Sequence, residues 1–82
     1  PTVKTVRIKT THRKNIFAYL RKKDDKEVLV VLNLSDENNL SVDITDETVK
    51  GVFKNVFTGI DKDFAPDKKI SMQAWEYLVY EK

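Results

Sequence analysis

From Val28 to Leu32 the chain is apolar at five successive positions, three of them valine. A run this short falls far below the ~20 residues that span a bilayer. Its β-branched content favours an extended strand. Successive side chains in a strand point to opposite faces, so both sides of this one are apolar. Either both faces are covered within the fold, or one is a surface built to meet another domain. The candidate docking residues are therefore Val28, Val30 and Leu32 on one side of the strand.

Segments of similar character recur along the chain, separated by short polar stretches, at the spacing of a β-sandwich or barrel. Ile16-Phe-Ala-Tyr-Leu-Arg21 precedes Glu27–Leu34. Asp24 and Asp25, in the charged link between them, tolerate the turn conformations of an antiparallel hairpin. Val3–Lys9 alternates as a half-exposed edge strand. Leu40, Val42 and Ile44 alternate with Ser41 and Asp43 and predict a short strand with one buried face. Thr45–Thr48 reads as a loop before Gly51, and Val52–Thr58 as a strand closing at Gly59. The stretch from Ile60 to Lys69 reads as a loop anchored by Phe64, followed by a short strand at Ile70–Met72. Trp75–Tyr80 reads as a closing strand that ties down the chain end. The count is about seven strands and the class all-β, with no internal repeat.

The chain has 82 residues and no cysteine. That length suits one domain with one core over residues 1–82. Without cysteine there is no disulfide framework, thiolate nucleophile or cysteine-bound metal, although the compartment stays open between cytoplasmic, periplasmic and secreted. The N-terminus shows no secretory signal pattern, and no apolar run is long enough for a membrane span. A net charge of +2 from 15 basic and 13 acidic residues reads as a mixed, solvated surface and not as a nucleic-acid footprint.

Candidate chemistry is sparse. His12, the single histidine, sits in the basic turn Thr10-Thr-His-Arg-Lys14 without a second ligand for a transition metal. Ser35, Ser41 and Ser71 lack a nearby histidine and a nucleophile-elbow glycine pattern. Asp61, Asp63 and Asp67 offer hard oxygen ligands, but an EF-hand reading would put Pro66 where glycine is required and Met72 where the bidentate glutamate belongs. Asp43, Asp46 and Glu47 are close enough to suggest a carboxylate pair, yet a chain this short leaves little room for the cleft that tunes one. Gly51 and Gly59 are the only glycines, which excludes a phosphate-cradling loop. No metal or cofactor is expected. Among the aromatics, Phe17, Tyr19, Phe53 and Phe57 read as core. Trp75, Tyr77 and Tyr80 also default to core, with Trp75 and Tyr77 as candidates to stack on a sugar ring.

Taken in order, Ile16–Arg21, the charged turn, Glu27-Val-Leu-Val-Val-Leu-Asn-Leu-Ser35, Val56-Phe-Thr-Gly59 and Gln73-Ala-Trp-Glu-Tyr-Leu-Val-Tyr80 resemble the C-terminal β-sandwich domain of α-amylase-type glycoside hydrolases, including maltogenic amylase and cyclomaltodextrinase relatives. The resemblance runs from Ile16 to Lys82. Each segment alone is only a hydrophobic strand with a turn, so order and spacing carry the specificity. One departure is Ala74, where the family often has proline. The resemblance implies an antiparallel, Greek-key-like sandwich that packs on a (β/α)8 barrel of the same polypeptide. It further implies a parent enzyme that cleaves or rearranges α-1,4-glucosidic bonds with barrel carboxylates absent from this chain. No catalytic position carries over, and the segment is expected to be non-catalytic.

Three readings follow from the sequence. The first is a structural accessory domain of such an amylase. The second is a carbohydrate-binding module that stacks α-glucan on Trp75 or Tyr77. The third, ranked last, is a small nucleic-acid-binding β-barrel.

Overall fold

The computed structural model describes residues 3–82. Among them there is no helix, and eight strands run antiparallel: β1 (Lys4–Arg7), β2 (Ile16–Lys23), β3 (Lys26–Asn33), β4 (Leu40–Asp43), β5 (Val52–Asn55), β6 (Asp61–Asp63), β7 (Lys69–Met72) and β8 (Tyr77–Glu81). They form a six-stranded sheet in the order β1-β2-β3-β8-β5-β6 and a two-stranded sheet of β4 and β7. The fold is the all-β sandwich that the sequence predicts. Its Greek-key-like step is the return of β8 between β3 and β5, strands that are distant from it in sequence.

The β2–β3 hairpin is in register from Ile16↔Asn33 to Lys23↔Lys26, which leaves Asp24 and Asp25 as a two-residue turn. Asp24 takes φ 57°, a left-handed conformation that a short polar side chain tolerates. Beyond β1 the chain bends across to the small sheet. Ile8 N still donates to Ala18 O at 2.9 Å, but Thr11 N donates to Asp43 O at 3.0 Å and Thr45 N to Lys9 O at 2.9 Å. This corner, with the Thr10↔Ile44 bridge, joins the two sheets along one edge. It also explains why the expected strand Val3–Lys9 leaves the large sheet after Arg7.

One core lies between the sheets. Ile16, Ala18 and Leu20 of β2, with Leu29 and Val31 of β3, face Leu40 and Val42 of β4 and Ile70 and Met72 of β7, and Phe53 and Phe64 fill one end. The Phe64 ring stands edge-on to both Phe53 (centroids 5.6 Å apart) and Tyr80 (5.2 Å). Such packing adds about 0.5–1.5 kcal/mol per pair beyond burial. Phe64 is the anchor expected of its segment, but that segment is not all loop. Asp61–Asp63 pairs with β5 as a hairpin arm, which raises the strand count from about seven to eight.

Two other expectations change at chain turns. The strand expected over Val52–Thr58 stops at Asn55, whose side-chain oxygen accepts the backbone N–H of Phe57 at 2.8 Å and of Thr58 at 3.1 Å. That Asx-type turn throws Phe57 out of the core, where it is 58% exposed. The closing strand starts at Tyr77 and not at Trp75, because Trp75 takes φ 59°, which no strand accommodates. Phe17 and Tyr19 are half-buried, outside the interior core in which the sequence reading places them.

Candidate functional site

Alternation along β3 sorts its apolar run into two sets. Leu29 and Val31 are fully buried in the core, while Val28, Val30 and Leu32 are only half-buried on the opposite side. Strand pairing aligns this second set with its neighbours: Val30 lies between Tyr19 and Val79, and Leu32 between Phe17 and Tyr77. The outer face of the large sheet is therefore an apolar and aromatic band across β2, β3 and β8. The small sheet covers the inner face alone. Phe57 extends the outer band, its ring edge-on to Tyr77 with centroids 5.4 Å apart. At the other margin the Arg7 guanidinium lies 4.5 Å from the Phe17 ring centroid, a stacked cation on the same face.

Charge on this face is uneven. Residues 1–23 hold eight of the 15 basic residues and no acidic one. Arg7, Arg21, Lys23 and Lys26 share the β1–β3 side of the outer face by strand alternation, whereas Glu81, Asp61 and Asp63 share it across β8, β5 and β6, with Lys54 between Glu81 and Asp61. A groove of about 340 Å³ opens over Tyr19, Val28 and Val30, with Arg21, Lys23 and Lys26 on its rim.

At the end of the band stand Trp75, 65% exposed, and Tyr77, 56% exposed. Both residues that the sequence nominates for ring stacking are thus at the surface, although Tyr77 already packs on Phe57. Trp75 is held by its backbone: its N–H donates to Ser35 O at 3.0 Å, and Glu76 N donates to Gln73 O at 3.1 Å. A bulky residue in the left-handed region costs roughly 1–3 kcal/mol and persists only where its surroundings over-determine it.

Those surroundings are organised by Asn33, a residue whose role sequence reasoning missed. Only 1% exposed, its Nδ2 donates to Gln73 O at 2.8 Å and Glu37 O at 3.1 Å, and its Oδ1 accepts Ser35 Oγ at 2.6 Å. Gln73 and Asn39 add a reciprocal side-chain contact, Gln73 Nε2 donating to Asn39 Oδ1 at 3.1 Å. Ala74 N donates to Asn38 Oδ1 at 3.1 Å, a bond that a proline at this position could not make. A polar residue ending a five-residue apolar run was the available signal.

The remaining candidates are separated or serve local structure. His12 is exposed in its turn at φ 55°, where its carbonyl accepts Asn15 N and Ile16 N at 2.9 Å. Ser41 and Ser71 face each other across the small sheet, and Ser35 serves Asn33. Asp67 is bound by Lys62 at 2.9 Å, which with the Lys69 backbone N–H holds its carboxyl below the usual range. Asp63 caps Ala65 N at 3.0 Å. Asp46 accepts Thr48 N at 3.0 Å and Lys9 N at 3.3 Å. Bonds from Thr48, first its hydroxyl, keep Asp46 below the ordinary carboxylate value. Asp43 lies in β4 with Oδ1 buried and unpartnered. Among the described residues, no three histidines, cysteines or carboxylates are grouped to hold a metal ion.

Fold and face together define an antiparallel β-sandwich domain whose large sheet is apolar on both faces and covered on one. The family described as "Alpha-amylase SusG C-terminal domain" matches residues 16–79, and the chain belongs to that family. Among solved structures the fold is similar to Gan42B, a GH42 β-galactosidase, with TM-score 0.61 and 18% identity over 100% of this chain and 10% of that one. A catalytic mutant of Gan42B from G. stearothermophilus gives TM-score 0.60 and 18% identity with the same coverage. At that identity the likeness concerns the fold alone, and this chain spans only 10% of those structures. No curated protein matches.

Proposed function

We propose that this is a non-catalytic accessory domain of an α-amylase-type glycoside hydrolase acting on α-1,4-glucans, and that its outer sheet face docks on the enzyme's catalytic (β/α)8 barrel. The observation that carries the reading is the band around Val28, Val30 and Leu32 on the side of the sheet away from the core: Val30 and Leu32 lie in register with Phe17, Tyr19, Tyr77 and Val79, and Val28 with Arg21 and Glu81. Apolar area left in water contributes about 25 cal/mol per Å² when covered, so a docked barrel would be stabilised by this face and would stabilise it in turn. The family assignment supports the choice of partner. Chemistry in this reading belongs to the barrel, and the domain needs no cofactor of its own.

The test is Val30→Asp in the full-length gene product. Docked domains unfold together, so calorimetry should show one coupled transition in the parent and two in the variant. A gene product without a barrel before residue 1, or a variant that unfolds as the parent does, would rule the reading out.

A second reading, α-glucan binding, is favoured by one observation. Trp75 is held exposed in a backbone conformation that costs energy, and such outliers concentrate at ligand sites. Titration with maltoheptaose, followed through the Trp75 indole resonance, decides it. An unmoved resonance at millimolar sugar would eliminate useful affinity there. The reading involves neither nucleic acid nor a membrane.

A further inference from the structure

We infer that the surface meeting the β1–β2 side of the outer face is acidic: the groove over Tyr19, Val28 and Val30 takes a carboxylate-bearing, apolar-centred surface of the domain that precedes this one in the same polypeptide. The inference rests on the docking reading above and adds the chemistry and orientation of the partner.

Three observations combine. First, the apolar floor of the groove is rimmed by Arg21, Lys23 and Lys26, with Arg7 further along the same face. Among the described residues the ion pairs are Lys22–Glu27, Lys62–Asp67 and Lys82–Glu27, so none of these four cations is in one. Asp24 and Asp25 stand at the hairpin tip, beyond the strand face. Second, the β8, β5 and β6 part of the face carries Glu81, in register with Val28, and Asp61 and Asp63, against the cation Lys54. A docked partner is therefore oriented as well as attracted, with its carboxylates over β1–β2; the reversed placement would oppose like charges. Third, Val3 lines the groove and leads directly into β1. In the docking reading a preceding domain enters from this side of the face, and linkage on one polypeptide raises its local concentration. Desolvated cation–carboxylate contacts next to an apolar centre give register more than raw affinity.

In the full-length gene product, the triple reversal Arg21→Glu, Lys23→Glu and Lys26→Glu should split the coupled unfolding transition, whereas Lys50→Glu, in the loop between β4 and β5, should not. The unsubstituted protein provides an independent reading that needs no altered fold. Raising NaCl from about 50 mM to about 1 M screens exposed charges and should weaken the coupling progressively. If triple reversal behaves as Lys50→Glu does, or coupling is insensitive to salt, while Val30→Asp still uncouples the domains, the acidic partner is wrong and docking stands. If Val30→Asp also fails, docking itself falls. Sedimentation settles the remaining occupant: a dimer that triple reversal dissociates would assign the face to a second copy of the chain and overturn the proposal.

Discussion

Asn33 anchors two turns that the sequence places 40 residues apart: one follows β3, and the other, Gln73–Glu76, precedes β8. Removing its amide would strand two carbonyls and a hydroxyl in a dry site, at about 1–3 kcal/mol for each group left unpaired. Asn33→Leu should therefore lower stability in urea unfolding by roughly 2–4 kcal/mol. It should also loosen Trp75, which would appear as faster amide exchange over residues 73–76. At Trp75 the expectation is opposite in kind. Since its strain is in the backbone, Trp75→Gly removes a left-handed penalty of about 1–2 kcal/mol and loses only the contacts of a mostly exposed ring. The variant should unfold within about 1 kcal/mol of the parent, and any loss of glucan binding would then report the ring alone. The residues of both sites were visible in the sequence. Their arrangement was not, because the partners of Asn33 come from turns whose conformations depend on the closed sandwich. For the same reason Phe57 could not be told from a core residue: its fate depends on the Asn55 turn.

Strands were legible as elements, and their ends were not. Alternation located β1 and β4, β-branched and aromatic content located β2, β3, β5, β7 and β8, and the two aspartates located the hairpin. A periodicity argument is blind to Asp61–Asp63, whose side chains are polar and whose strand state comes only from pairing with β5. β3 has the opposite ambiguity, since an apolar run does not say which side is core. The structure makes that choice measurable. Leu29→Thr places a hydroxyl in the core and leaves unfilled space, at about 2–4 kcal/mol, and the isosteric Val31→Thr buries a hydroxyl, at about 1–3 kcal/mol. Val30→Thr, between them but on the outer side, should cost less than about 1 kcal/mol in urea unfolding of the same chain. In the loop after β4, Asp46 gives a pH prediction. Thr48 and Lys9 hold its folded-state carboxyl below 3.8, so its charge stabilises the fold above that pH, and the contribution is lost as pH falls through the lower folded value. Asp46→Asn should thus lower the urea midpoint near neutral pH, with the gap to the parent closing in acid. A gap that persists unchanged at about pH 2 would mean the carboxylate's charge plays no part.

At the scale of the whole molecule, the outer face and the core depend on one late element. β8 contacts β3 on one side and β5 on the other. It contributes Tyr80 to the inner face, and Tyr77 and Val79 to the outer one. Without it the large sheet divides into β1-β2-β3 and the β5–β6 hairpin, and an isolated two-stranded hairpin is marginal in water. The chain cannot complete this sheet until residues near its C-terminal end meet a strand about fifty positions earlier, so loop closure must precede most of the stabilising contacts. A chain ending at Glu76 should accordingly lose cooperative unfolding altogether. Its far-UV circular dichroism should lack the β minimum, and its amide spectrum should collapse to the narrow dispersion of a coil. Retention of a sharp thermal transition in that truncated chain would show that β1–β7 hold a core without β8. The outer apolar band would then be an addition to a finished domain, whereas the observed pairing puts its Tyr77 and Val79 on the strand that finishes it.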